Sequence, residues 1–181
     1  MSEVFKEYLI KQKKSSKDVM AQTGLVLGAV ILSIIVFIIG GDFIGPVLIV
    51  GIIFGTGFLF NKFSREYEYI LTNNELDIDV IYNRNTRKRV LTVDMKKIEV
   101  MASIKDERHT SAINKQGLKV INASDNKNEE ATYAIITDTE KSGMCKILIT
   151  PNSTLLNELY KQAPNKVMRK NTYGNAGNKN Q

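Results

Sequence analysis

The chain has one cysteine, Cys145, and one histidine, His109, in 181 residues. A lone cysteine excludes an internal disulfide and suits a reducing compartment for the water-facing part. A zinc site asks for about four nitrogen, sulfur or oxygen ligands, usually several of them His or Cys, so that chemistry is excluded as well. Serine-histidine-aspartate catalysis would rest on His109 in "KDERHTS", a stretch that reads as a flexible loop without the rigid geometry a triad needs. No glycine-rich phosphate loop is present, since Gly117 and Gly143 stand alone. Cys145 falls within a strand pattern and reads as inert packing. These absences point to a non-enzymatic protein with no cofactor and no metal.

A second scarcity is local. From Val19 to Asn61 the only ionisable side chain is Asp42, whereas the chain from Lys62 onward reads like a water-soluble domain. The formal net charge of +6 is also uneven. Residues 1–18 carry +2, residues 61–163 carry +1, and residues 164–181 carry +4 with no acid among them. A nearly neutral central domain argues against nucleic-acid binding, which requires a basic face on the domain itself.

The apolar stretch is about twice the ~20 residues that span a bilayer core about 30 Å thick. Two spans fit, at 20–39 and 43–60, with Gly40-Gly41-Asp42 as the turn and Gly45-Pro46 just beyond it. Glycine supplies turn dihedrals, proline is tolerated early in a helix, and Asp42 favours the dipole of the second helix. Asp42 is therefore read as a water-facing turn residue rather than an acid held in lipid. Lys11, Lys13, Lys14 and Lys17 precede the first span and Lys62 and Arg65 follow the second, while the turn has no cation. By the positive-inside rule both termini are cytoplasmic, in a multi-pass protein of the cell membrane. A cleaved signal peptide is rejected, because no small-x-small site follows Ile39 and a second span comes at once.

Each span has a pair of small residues at i and i+4, Gly24/Gly28 and Gly51/Gly55. Such strips let helix backbones approach closely. They are expected either to close the two spans on each other or to serve an oligomer, against the plain alternative that glycine is common in membrane helices. Ser33 and Thr56 are expected to bond their own helix backbone. In "SEVFKEYLIKQKK", Val4, Phe5, Tyr8 and Leu9 recur at helical spacing. Residues 1–18 are therefore expected to be an amphipathic cytoplasmic segment, lying on the membrane surface or packed on the domain.

After Phe63 the period changes to that of strands. "YEYILT", Tyr67–Thr72, is aromatic and β-branched, Asn73-Asn74 is a turn, and "ELDIDVIY", Glu75–Tyr82, alternates strictly. "NRNT", Asn83–Thr86, turns into "RKRVLTVDM" and then "KKIEVMAS". Pairing Leu76 with Val93 and Ile78 with Leu91 keeps apolar side chains on one face and implies a four-residue loop. Residues 104–130 read as polar loop around one short strand, "GLKVINA". "ATYAIITD" and "MCKILIT" are two further strands. A helix, "STLLNELYKQ", opens after Asn152 with Leu155, Leu156, Leu159 and Tyr160 on one face, and Pro164 ends it. Residues 164–181 read as a disordered basic tail.

The predicted architecture is α+β: a two-helix transmembrane hairpin over 19–61, then an antiparallel, partly open β-barrel over 62–163 capped by one C-terminal helix. "YEYILTNNELDIDVIYNRNTRKRV" resembles the opening hairpin of bacterial membrane proteins that carry a pleckstrin-homology-like (PH-like) domain. The two-span segment that precedes it resembles that of a family of such proteins with no assigned activity. Members of the broader fold bind lipid headgroups, peptides or proteins, so the resemblance implies a binding or scaffold module and leaves its ligand open.

Two charged groups stand out. The row Glu75, Asp77, Asp79 has the oxygens for calcium, but strand alternation alone produces such a solvated face. The cluster Arg84, Arg87, Lys88, Arg89, extended by Lys96 and Lys97, is the candidate binding site. It would touch anionic lipid headgroups at about 1 kcal/mol per cation or grip an acidic protein partner. Against this, its charges would simply offset Asp77 and Asp79 on the neighbouring strand. An accessory role in a larger membrane transport or envelope complex, exercised through the helices, is the alternative function.

Overall fold

Strand β1, Phe5–Lys11, lies antiparallel to β2, Arg65–Thr72, and the 45-residue helical element α1, Ser16–Phe60, is inserted between them. The computed structural model describes residues 5–139 and 143–169. Phe5–Lys11 is thus a strand and not part of the amphipathic helix that the spacing of Val4, Phe5, Tyr8 and Leu9 suggests; residues 1–4 lie outside the described residues. The deciding period is two. Tyr8 and Ile10 stand opposite Tyr69 and Tyr67 and face the core, and the Tyr8 and Tyr69 rings lie 6.2 Å apart. The β domain therefore begins at residue 5 and is interrupted by α1, rather than starting at residue 62.

α1 is one helical element, not separate helices at 20–39 and 43–60 joined by a three-residue turn. A single residue, Gly41, leaves helical geometry, at φ 62° and ψ −167°. Straight, the 45-residue element would be about 68 Å long at ~1.5 Å per residue. Yet Asp18 Oδ1 lies 3.6 Å from Arg65 Nη2, and Lys14 Nζ lies 5.9 Å from the Phe60 ring centre. The element bends sharply at Gly41, where glycine alone takes a positive φ without strain. The limbs touch at the bend: a Cβ on Gly40 would sit 2.8 Å from the Gly45 nitrogen. Farther out they line a shared apolar cleft of about 550 Å³, with Val26, Val30 and Phe37 on one side and Ile49, Ile53 and Thr56 on the other. Ser33 and Thr56 donate to the carbonyls of Ala29 and Ile52 at 2.8 and 2.7 Å, as expected.

The first sheet is ordered β1-β2-β3-β4, with β3 at Glu75–Tyr82 and β4 at Thr86–Asp94. Leu76 pairs with Val93 and Ile78 with Leu91, as the alternation predicts. The register then shifts: Asp79 meets Arg89 and Tyr82 meets Thr86, so Val90 is an extra residue in a β-bulge. The connection is accordingly three residues, Asn83 to Asn85, rather than four.

The second sheet contains β5 (Val100–Ser103), β6 (Lys119–Asn122), β7 (Tyr133–Thr139) and β8 (Gly143–Ile149), in the order β5-β7-β8-β6. Its pairs are antiparallel except β6–β8, which is parallel, a departure from the all-antiparallel expectation. The parallel pair is reachable because β7 and its flanking loops supply the long crossover such pairs require. Within 104–130, α2 (Thr110–Ile113) buries Ile113 against Val100, Ala102, Ala134 and Ile136. This covers the outer side of the second sheet and explains why β7 is apolar on both faces.

The main core lies between the sheets and is closed by α3, Ser153–Gln162, through Leu155 and Leu159. Asn152 caps α3 by accepting from the Leu155 N–H at 2.7 Å. The hydroxyl of fully buried Tyr69 ties the sheets, donating to the Ala123 carbonyl at 2.6 Å and accepting from the Thr150 N–H at 3.1 Å. Contrary to the expectation from the sequence, residues 164–169 are not part of a disordered tail. Val167 is buried, and Met101 bonds the backbone of Lys166 and Met168 at 2.7 Å each. Residues 170–181 of that tail lie outside the described residues.

Candidate functional site

The bulge at Val90 decides what the basic cluster does. Leu91 and Val93 point into the core, so an unbroken β4 would turn Arg89 and Arg87 to the same side. One inserted residue moves them to the opposite face. There they lie over a row of acids from β2 and β3. Arg84 Nε is 3.4 Å from Glu66, Arg87 pairs with Glu68, and Arg89 bridges Asp79 and Asp77. The carboxylates beneath are covered: the side chains of Glu68 and Asp79 are 2% and 5% exposed. Arg87 and Arg89 thus pair with acids of the neighbouring strands, partners that the arginine fork suits, while Arg84 touches Glu66 with its side chain 76% exposed. Of the acidic row Glu75, Asp77 and Asp79, the last two are correspondingly not solvated, since they serve Arg89, whereas Glu75 is exposed.

Lys88 is exposed on the other side of β4. Lys96 and Lys97 lie beyond the far end of that nine-residue strand, roughly 25 Å from the tip at ~3.3 Å per residue, so they do not extend the patch. There Lys97 reaches Asp94 at 3.9 Å, and the Lys96 carbonyl accepts from Lys166.

A cleft of about 550 Å³ opens where α1 rejoins the domain. Phe58, Lys62 and Arg65 line one side, and Tyr82, Asn83 and Asn85 line the other. No carboxylate is among its lining residues. Arg65 reaches Asp18, but its Nε is buried without a hydrogen-bond partner. The β3–β4 tip forms the opposite wall, with Asn83 and Arg84 both in the left-handed region at φ 49° and 57°. Asparagine tolerates that region; for Arg84 it costs about 1 kcal/mol, and the side chain is left projecting, 76% exposed. In the sequence Lys62 and Arg65 read only as charges that orient the helices. Their place in a cleft depends on β3–β4 reaching back to the end of α1, which no local pattern announces.

The connections between α1 and the domain are tightly held. The Gln12 N–H donates to the Arg65 carbonyl at 3.1 Å and the Lys13 N–H to that of Asp125 at 2.8 Å. Asn126 Nδ2 reaches the Lys13 carbonyl at 3.2 Å. The glycine strips are not brought together: a Cβ on Gly24, Gly28, Gly51 or Gly55 would meet nothing within 4 Å.

Of the remaining reactive groups, His109 Nδ1 is buried without a hydrogen-bond partner and Cys145 is buried in the core. His109 Nδ1 lies 3.5 Å from Asp106, whose carboxylate is held down to about 2, chiefly by hydrogen bonds from Arg108. Burial pushes the Cys145 thiol up and places it in the core. Among the described residues no three His, Cys, Asp or Glu side chains are grouped to hold a metal. Glu68 carries the most displaced acid on the outer face of the first sheet. Burial, then a hydrogen bond with Glu7, lifts it to about 7 against the pull of Arg87.

Two four-stranded sheets with a shared core and a C-terminal helix define a PH-like domain, an architecture of binding modules that are generally not catalytic. Residues 2–169 match the bacterial PH-like domain family DUF6106, and the chain belongs to that family. The matched span takes in β1 and α1 as well as the later strands. Neither a curated protein nor a solved structure matches the chain.

Proposed function

We propose that the protein is a membrane-anchored, non-enzymatic binding and scaffold module. α1 crosses the bilayer twice and holds the PH-like domain at the cytoplasmic face, where the cleft beside Lys62 and Arg65 receives an anionic lipid headgroup. The pairing of β1 with β2 carries this reading. A single crossing between them would put two hydrogen-bonded strands on opposite sides of a bilayer. Further support comes from α1 itself, the one described helix long and apolar enough to cross a membrane. Its large side chains face outward without cover, including Phe43 at 89% and Phe54 at 76% exposure, a surface that water does not tolerate. Lysines flank both ends and only Asp42 lies near the bend, which favours ends inside and bend outside.

A second reading, an accessory subunit of a larger membrane complex or an oligomer acting through the helices, is favoured by one observation. Gly24, Gly28, Gly51 and Gly55 are left open for another helix to approach.

The test is labelling of intact cells with a membrane-impermeant thiol reagent. Asp42→Cys is expected to react from outside, and a cysteine placed at Asn165 only after lysis. Labelling at Asn165 in intact cells, or a position 42 reachable only from within, would overturn the topology.

A further inference from the structure

The two limbs of α1 enclose an apolar groove with a polar mouth. The cleft lined by Val30, Phe37, Ile49 and Ile53 shares Val26 with a second cavity of about 300 Å³ at the foot of the limbs, bordered by Val19, Leu27 and Phe60. From Gln22 to Phe37 the groove runs about 22 Å at ~1.5 Å per residue, enough for a hydrocarbon chain that crosses one leaflet, half of a core ~30 Å thick. Gln22 lines the foot cavity and is buried, 9% exposed. Lys14 Nζ donates to its Oε1 at 3.1 Å, which fixes the orientation of the amide, and its Nε2 is buried without a hydrogen-bond partner. A buried donor without an acceptor is destabilising, so this amide calls for a group that brings one. Thr23, the other polar residue on the cavity wall, already donates its hydroxyl to the Val19 carbonyl at 3.0 Å. Lys14 stands at the mouth between neutral partners, the Gln22 amide and the Phe60 ring. From the mouth inward the groove offers a cation, an amide donor and a long apolar wall. A glycerophospholipid presents the matching groups in the same order: phosphate, ester carbonyl, hydrocarbon.

We infer that the groove holds one acyl chain of a glycerophospholipid, with an ester carbonyl accepting from Gln22 Nε2 and the phosphate at Lys14. The acyl chain fills the space that opens between the limbs beyond the bend, where they touch. Every diester phospholipid carries both polar groups, so the site selects the lipid class and not the headgroup. At roughly 100° per residue, Phe58 lies on the side of the second limb away from Ile49, Ile53 and Thr56, so the groove is separate from the headgroup cleft that Phe58 lines. The inference rests on the reading that α1 lies in a bilayer and is independent of the cleft beside Lys62.

The test is native mass spectrometry of the full-length protein in detergent, titrated with dioleoyl phosphatidylcholine or with its diether counterpart, which keeps the headgroup and the hydrocarbon but has no carbonyl. The diester is expected to bind roughly fivefold more tightly, the worth of one neutral hydrogen bond. Gln22→Leu removes the donor and is expected to bind both lipids as the natural protein binds the diether. That comparison is a ratio read within one protein, so a loss of folding does not mimic it. Ala29→Phe places a ring in the middle of the groove and is expected to weaken both lipids by about tenfold, leaving the phosphatidylglycerol preference of the cleft beside Lys62 intact. With that preference intact, equal affinities for diester and diether, or a difference that survives Gln22→Leu, would leave the donor to water and overturn the inference. Unchanged binding by Ala29→Phe would place the lipid elsewhere and overturn it too, as would a lipid-free dimer whose second copy fills the groove. A protein that binds none of these lipids would overturn the membrane reading and this inference with it.

Discussion

Lys11 stands opposite Glu66 in the β1–β2 ladder, with all of α1 between them in sequence. α1 is thus an insertion in a β-hairpin rather than a segment that precedes a domain. Gln12 bonds Arg65 as the closing pair of that hairpin, so replacing residues 13–64 with Asn-Gly should give an ordinary two-residue loop. The excised protein is expected to be a soluble monomer with a cooperative thermal transition. A fragment starting at Arg65 lacks β1, uncovers Tyr67 and Tyr69, and loses the burial of Ile10 and Tyr8, about 3–5 kcal/mol. It should aggregate through its exposed edge. Size-exclusion chromatography and circular dichroism decide; equal stability of the two proteins would count against the insertion.

Arg89 is predicted to matter for stability out of proportion to its exposure, because Asp79 beneath it is nearly closed off. Arg89→Met leaves that carboxylate unpaired and should cost about 3 kcal/mol, whereas Lys88→Met should change stability by no more than about 0.5 kcal/mol. Adding Asp79→Val to Arg89→Met should restore most of the loss, since an apolar pair replaces an orphaned charge. Urea titration of the excised domain measures all three. Equal effects at positions 88 and 89 would refute the pairing.

These arginines also show where sequence reading stops. The pairing of Leu76 with Val93 is legible because both strands alternate, and α3 is legible from its Asn152 cap and leucine spacing. The reach of Arg87 to Glu68 is not, because it spans two strands and depends on the bulge at Val90. Acids alternating with Tyr67 and Tyr69 resemble a solvated face until a third strand covers them. β1 escapes sequence reading for a similar reason: Phe5, Tyr8 and Leu9 fit a helix, and the partner that selects Tyr8 and Ile10 instead lies beyond α1. The bend of α1 is announced by Gly40-Gly41-Asp42, but not which faces meet, because glycine spacing carries no direction.

Glycine substitutions in α1 should therefore separate into two groups. Gly40→Ala places a Cβ against the Gly45 backbone, and Gly41→Ala must hold a positive φ. Each should destabilise the bend by about 1 kcal/mol or more. Gly24→Ala, Gly28→Ala, Gly51→Ala and Gly55→Ala meet open space and should stabilise the isolated helix slightly through helix propensity. Thermal melting in detergent reads both groups. Loss of stability at Gly28 or Gly51 would show that the strips face each other after all.

Two carboxyls should tilt stability in opposite directions. Glu68 binds its proton more tightly folded, at about 7 against an ordinary 4.5, so its contribution is full below about 4.5 and lost as pH rises through 7. Asp106 is displaced the other way, to about 2 from 3.8, so its contribution is present above 3.8 and lost as pH falls through about 2. Melting temperature should fall on both sides of about pH 4 as far as these two groups govern it. Glu68→Gln should remove the upper slope and leave the lower one; an unchanged upper slope would assign it to other groups.

The cleft beside Lys62 makes a prediction about lipid that the rest of the fold does not. Its cations face no lining acid, Arg65 Nε has no partner, and Phe58 borders it at the end of α1. An anionic phosphate there would satisfy the buried donor and gain about 1 kcal/mol per cation, roughly fivefold in affinity. Purified full-length protein should retain phosphatidylglycerol over phosphatidylcholine in native mass spectrometry, and Lys62→Ser should weaken that preference by about the same factor. The preference should fall with salt, as contacts at an open site are screened within about 10 Å at 0.1 M. Arg84→Ser tests the competing location, because its side chain projects from the hairpin tip outside the cleft. If Arg84→Ser removes the preference and Lys62→Ser does not, the lipid lies on the tip and the cleft is empty of function.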